Sequence, residues 1–171
     1  MIDSHDPFAE EDSLPEEGES INPADIRFAA MNLLARREHL RAELSQKLRK
    51  RFGTDAEDEI EQTLDQLAEE NLLSDHRFAE SYVRQRCGKG YGPDRIRQEL
   101  RQKGVSSDLL QLVMEEADVD WVEIAREVRL KKFGAVVPDD FKDKAKQLRF
   151  LNYRGFGGEF ASAALESDGD Y

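Results

Sequence analysis

The sequence predicts an all-α protein: three tandem three-helix repeats forming an elongated, curved helical array, with a disordered acidic tail at the N-terminus. Three observations predict it. Apolar residues recur at helical spacing, helix-starting and helix-stopping residues punctuate that pattern, and Gly53, Gly104 and Gly155 end comparable segments at equal intervals of 51 residues. The composition agrees, since 39% apolar and 36% charged residues with only 8% aromatics suit a helical protein better than a β-sandwich.

Residues 1 to 21 hold eight acids, no Lys or Arg, and too few aliphatics to offset the entropy of ordering, so disorder is expected there. The first repeat, residues 22 to 73, opens at "INPADIRFAAMNLLARRE", where Asn22 can cap and Pro23 suits the first helical position. Its second helix, in "LRAELSQKLRKRFG", has Leu40, Leu44 and Leu48 one turn apart and stops at Gly53. The third starts at "TDAE", a capping-box pattern of Thr54 and Glu57, and continues through Ile60, Leu64 and Leu67.

The second repeat, 74 to 118, reads "SDHRFAESYVRQRC", "PDRIRQELRQKG" and "SSDLLQLVMEEA", with serine caps opening the outer helices and Pro93 the middle one. The third, 119 to 165, reads "VDWVEIAREVRLKKFG", "PDDFKDKAKQLRFLNYRG" and "GGEFASAALE". In its middle helix Phe141, Ala145, Leu148 and Leu151 form the expected inner edge, and Phe150 points the opposite way. Residues 166 to 171 make a short acidic tail.

Several function classes are disfavoured. One cysteine, Cys87, excludes an intramolecular disulfide and a cysteine zinc cage. The absence of a long apolar run and of a signal-like start leads us to expect a cytoplasmic chain with no membrane role. His5, His39 and His76 are scattered, and the acidic runs lack a calcium-loop glycine. The stretch "GKGYGPDR" has neither the preceding strand nor the Lys-Ser/Thr pair of a nucleotide phosphate loop. It reads as a hinge, with Gly88, Gly90 and Gly92 reversing the chain and Ile96 and Leu100 as the buried edge beyond it. We therefore expect no enzyme, no metal and no cofactor.

Charge follows the repeat. The net charge of −12 resides in the two ends, and residues 26 to 165 are neutral overall. Within them residues 36 to 51 carry seven bases and two acids, 55 to 75 nine acids and no base, 84 to 103 seven bases and two acids, and 106 to 123 six acids and no base. If the repeats stack alike, the basic helices form a stripe for a polyanion; otherwise acidic and basic helices of neighbouring repeats neutralise one another in ion pairs.

The segment "LLSDHRFAESYVRQRCGKGYGPDRIRQELRQKGV" resembles the central part of the bacterial RecX regulatory proteins, and "KKFG" with "KAKQLRFLNYRGF" resembles their third unit. The likeness covers residues 24 to 165 and is more approximate in "FAAMNLLARREHLRAELSQKLRKRFG". Leu40, where that family commonly has a small hydroxyl cap, and "GFGGEF" depart from the pattern. The resemblance implies a monomeric, non-enzymatic regulator that binds the RecA filament and its single-stranded DNA, with double-stranded DNA a further ligand, and restrains strand exchange, ATP turnover and the SOS co-protease function. The alternative is a helical DNA-binding protein with no RecA partner. The candidate contacts for RecA or DNA are Arg84, Arg86, Lys89, Tyr91, Arg95, Arg97, Arg101 and Lys103 in the second repeat, and Lys131, Lys132, Lys142, Lys144, Lys146, Arg149 and Arg154 in the third.

Overall fold

The computed structural model describes residues 20–166. The expected disorder of residues 1 to 21 therefore lies, apart from Ser20 and Ile21, outside the described residues, and so does the acidic end beyond Glu166. The described residues form nine α-helices and no strand, divided into two compact units, Met1–Ser74 and Asp75–Tyr171.

In the first unit α1 (Pro23–Arg36), α2 (Arg41–Phe52) and α3 (Glu57–Glu69) pack on one another around Ile26, Leu44, Leu48, Ile60, Leu64 and Leu67. Asn22 Oδ1 accepts the Ala24 N–H at 3.0 Å, satisfying an amide that the helix cannot pair, and Pro23 follows it. Leu40 caps α2 without a side-chain hydrogen bond and contributes burial instead. The capping box expected at Thr54 and Glu57 does not form. Thr54–Ala56 make a 3₁₀ turn that buries Ala56, so the α-helix starts two residues later and Ala56 takes the cap position. Gly53 stops α2 with φ +86, and Asn71, at φ +59, plays the corresponding part after α3, where the Leu72 N–H returns to the Leu67 carbonyl at 2.8 Å.

The second unit holds two bundles: α4 (Asp75–Gly88), α5 (Pro93–Gln102) and α6 (Ser107–Glu116), then α7 (Trp121–Phe133), α8 (Phe141–Arg154) and α9 (Gly158–Leu165). Ser106, Asp120 and Asp140 cap α6, α7 and α8 through their side-chain oxygens, whereas Gly157 gives α9 no such bond. Both middle helices end alike. After Gly104 the Val105 N–H bonds back to the Leu100 carbonyl at 3.0 Å, and after Gly155 the Phe156 N–H bonds to the Leu151 carbonyl at 3.0 Å, each time burying the residue past the glycine.

The inner edge of α8 is narrower than the sequence suggests. Phe141, expected inside, is 85% exposed, because the whole first turn, 141–144, is exposed and the helix meets the core only from Ala145 onward. Phe150, expected to face away, is half-buried against the third-bundle core, edge-on to Phe133 with ring centroids 5.3 Å apart.

Two backbone hydrogen bonds lock the bundles of this unit together. The Gly92 N–H donates to the Arg154 carbonyl at 2.9 Å and the Asp94 N–H to the Gly155 carbonyl at 3.0 Å. Unpaired donors at the start of α5 thus satisfy unpaired acceptors at the end of α8. Side chains are excluded from this contact: a Cβ on Gly92 would strike the Gly155 backbone, and one on Gly155, where φ is +99, would strike Arg95. Among the described residues no helix is long and apolar enough to cross a membrane, and no cluster of His, Cys, Asp and Glu could hold a metal ion.

Candidate functional site

The interlock places the hinge 88–92 beside α7 and the end of α8. A Cβ on Gly90, at φ +78, would lie 2.6 Å from Val128 Cγ2, so the hinge sits directly on α7. Between these elements runs a groove of about 480 Å³ lined by Lys89, Tyr91, Arg95, Lys131, Lys132 and Arg154, with Cys87, Ile124, Val128, Phe150 and Tyr153 as its less polar wall. Glu127 is the one carboxylate in that lining. Six of the sequence-predicted residues are therefore brought together from three helices and a turn.

Tyr91 is the centre of the arrangement. The Arg86, Arg95 and Arg154 guanidinium carbons lie 4.2, 4.3 and 4.8 Å from its ring centroid, close enough for the ring quadrupole to attract each cation. Glu99 holds two of the three in place. Its carboxylate accepts from Arg86 through both Nε and Nη2, from Arg95 Nε at 3.2 Å and from the Tyr82 hydroxyl at 2.8 Å. Burial alone would raise the Glu99 pKa, but these donors hold the carboxyl at about 2, and burial together with Glu99 pushes the Tyr82 hydroxyl up to about 12. Arg154 pairs with no carboxylate among the described residues; it lies over Tyr91 and Phe150. Lys89 and Lys131 are exposed and, among the described residues, form no ion pair, while Lys132 lies 6.0 Å over the Phe150 ring.

The remaining candidates lie outside this groove. Arg97 and Arg101 line a different depression with Gln111 and Glu115, and Arg97 also faces Asp94 at 3.5 Å. Arg84 pairs with Glu80 one turn earlier at 3.3 Å, and Lys103 lies over the Tyr82 ring. Lys142, Lys144, Lys146 and Arg149 are exposed along α8. His76, next to Asp75 in sequence, meets Glu116 at 2.6 Å. Sequence reasoning missed Glu99 and Glu127, because acids inside basic segments were counted only as charge; the spacing of Arg95 and Glu99, one helical turn, was the available signal.

In the first unit several basic side chains are paired inside the bundle itself. Arg41 pairs with Glu61 at 2.8 Å and Asp65 at 2.7 Å, Arg49 with Glu57, and Arg37 with Glu43 at 2.5 Å. Arg41 and Arg49 of α2 are thus paired with the acidic α3, while Lys47 pairs with Glu43 of its own helix at 3.1 Å.

Comparison with known proteins bears directly on this architecture. The family models for the second and third three-helix domains of RecX match residues 74–114 and 118–165. The regulatory protein RecX of Pseudomonas putida (strain GB-1) is 50% identical over 134 residues, which cover 78% of this chain and 85% of that protein. This chain belongs to the RecX family. Its RecX relative in Halorhodospira halophila is 49% identical over 146 residues, covering 85% of this chain and 89% of that protein. The crystal structure of RecX from Lactobacillus salivarius has the same fold, with a TM-score of 0.72 over 84% of this chain and 94% of that one at 24% identity.

Proposed function

We propose that this RecX protein is a non-enzymatic regulator that binds the RecA recombinase filament on DNA and inhibits its strand exchange, ATP turnover and SOS co-protease activity. It acts as a monomer in the cytoplasm, needs no cofactor, and uses its three-helix repeats, residues 22–73, 74–118 and 119–165, as a binding scaffold. The observation that carries the reading is the groove: five cationic side chains, of which only Arg95 is paired, to Glu99, with Glu127 the one carboxylate in the lining, next to an aromatic, Tyr153, that is 77% exposed. Cations answer backbone phosphates and an exposed ring offers a stacking surface for an unpaired base, the two ingredients of single-strand binding.

The test is a titration of the folded protein into a RecA ATPase assay on single-stranded DNA. Inhibition is expected at fewer than one chain per RecA. Lys131→Ala with Lys132→Ala is expected to weaken DNA contact similarly on all sequences and to lower the salt slope by about one per lysine. Absence of inhibition by folded protein overturns the RecA reading. The second reading, an autonomous DNA-binding protein, is supported by the exposed cations along α8, which suit any polyanion; DNA affinity without an effect on RecA selects it.

A further inference from the structure

Tyr153 belongs to two depressions. One is the groove; the other, open and of about 470 Å³, is lined by Asp94, Gln98 and Gln102 from α5 and by Asn152 and Tyr153 at the end of α8. Arg95 also lines both. Its guanidinium carbon lies 4.3 Å from the Tyr91 ring centroid and 5.7 Å from that of Tyr153, so one cation bridges the two rings. The stack that starts at Arg86 and Tyr91 thus ends on Tyr153, which is left largely exposed.

The chemistry of the second depression differs from that of the groove. Its charged groups are Arg95 and two carboxylates, Asp94 and Glu99, and Glu99 already holds Arg95 at 3.2 Å, so no cation there is left to answer a phosphate. The remaining polar side chains are carboxamides. Gln98 and Gln102 follow Asp94 at one-turn intervals along α5 and share its face, while Asn152 comes from α8. Among the described residues the side-chain amides of Gln98, Gln102 and Asn152 form no hydrogen bond. Each carries donors beside an acceptor. Such a group matches a base edge that also sets one donor beside one acceptor, which adenine does with its N6 amine and N7. An edge of acceptors only, as guanine offers with N7 and O6, leaves the amide carbonyl unmatched.

We propose that this depression is a base-reading subsite that takes one unpaired adenine. The base stacks on Tyr153, the Gln98 and Gln102 amides accept from its N6 amine and donate to its ring nitrogens, and the neighbouring phosphates stay on the cations of the groove. The proposal rests on the reading of the groove as a single-strand site. It adds a preference among bases, which phosphate contacts and stacking alone do not give.

The test uses the full chain and fluorescence anisotropy with labelled strands of abasic residues that carry, at the centre, one adenine, one unsubstituted purine or no base. Unsubstituted purine keeps the stacking surface and N7 and lacks only the N6 amine. The adenine strand is expected to bind about tenfold more tightly than the purine strand, which in turn binds more tightly than the bare one. Gln98→Ala together with Gln102→Ala, which alters only exposed side chains, should bring the adenine strand down to the level of the purine strand. Tyr153→Ala should bring both base-bearing strands toward the bare one. Equal binding of the adenine and purine strands, or an adenine advantage that survives the double substitution, overturns the proposal, and binding of the bare strand then still upholds the groove as a phosphate site. Failure of every strand to bind overturns both. RecA is absent from all of these measurements, so their outcome is separate from that of the ATPase titration.

Discussion

Glu99 determines what the arginines around Tyr91 are free to do. With Gln in its place, Tyr82, Arg86 and Arg95 lose a shared anion, and a loss of about 1–3 kcal/mol is expected in urea unfolding. The same residue shapes the response to acid. Glu99 and Glu43 both sit at about 2 instead of 4.5, Glu43 because Arg37 and then Lys47 bond to it against the opposing effect of burial. His39 is lowered from 6.5 chiefly by burial. Its geometry agrees: Nδ1 lies 3.0 Å from the Arg37 carbonyl and must donate, leaving Nε2 to accept from the Lys47 ammonium at 3.2 Å. Protonating Nε2 would set two cations face to face. For all three groups the unfolded chain binds the proton more readily than the folded one, so each adds stability that is complete above its unfolded pKa and is lost as pH falls. Urea midpoints are expected to decline first below about pH 6.5 and again below about pH 4.5. Glu99→Gln should flatten the second decline, and a midpoint level between pH 7 and pH 5 would rule out the His39 contribution.

Among the elements, the junction between α5 and α8 matters most, because it converts two bundles into one unit and so creates the groove. Gly92→Ala tests it cleanly. Its φ of −86 suits alanine, so any cost comes from the Cβ striking Gly155 rather than from backbone strain. A destabilisation of about 1–3 kcal/mol is expected, with loss of hydrogen-exchange protection at the Asp94 amide and none in α1–α3. Gly88→Ala is the control: nothing lies within 4 Å of the added Cβ, and a gain of about 0.4–1 kcal/mol is expected. The helices themselves were legible because apolar period, caps and glycine stops are local signals. The errors arose where tertiary context decides. Ala56 is buried by its neighbours and moves a helix start past Thr54, and α8 leaves its first turn outside the core, exposing Phe141. The site was legible only as a set of cations. Nothing near Lys89 in sequence reveals that it shares a groove with Lys131 and Lys132, since that depends on Gly92 meeting the backbone of a glycine in the next repeat.

For the molecule as a whole, the distribution of charge governs how a polyanion approaches. The described helices between residues 26 and 165 balance acid against base, so the net charge of −12 comes from the two ends, and eight of those acids precede Asn22. Charges this concentrated repel DNA phosphates over roughly a Debye length, about 30 Å at 0.01 M salt but only about 8 Å at 0.15 M. Deleting residues 1–21 is therefore expected to raise the association rate and affinity for single-stranded DNA at low salt, with the difference from the full chain shrinking toward physiological salt. Ile21 packs partly buried against the core of the first bundle, so urea unfolding of the shortened chain is compared with the full chain alongside the affinities. Fluorescence anisotropy at two salt concentrations reads the association rate and the affinity. Equal affinity of full-length and shortened chains at low salt would show that the acidic end does not repel the incoming strand, leaving the local balance of five cations, with Arg95 paired to Glu99, against Glu127 as what controls polyanion binding.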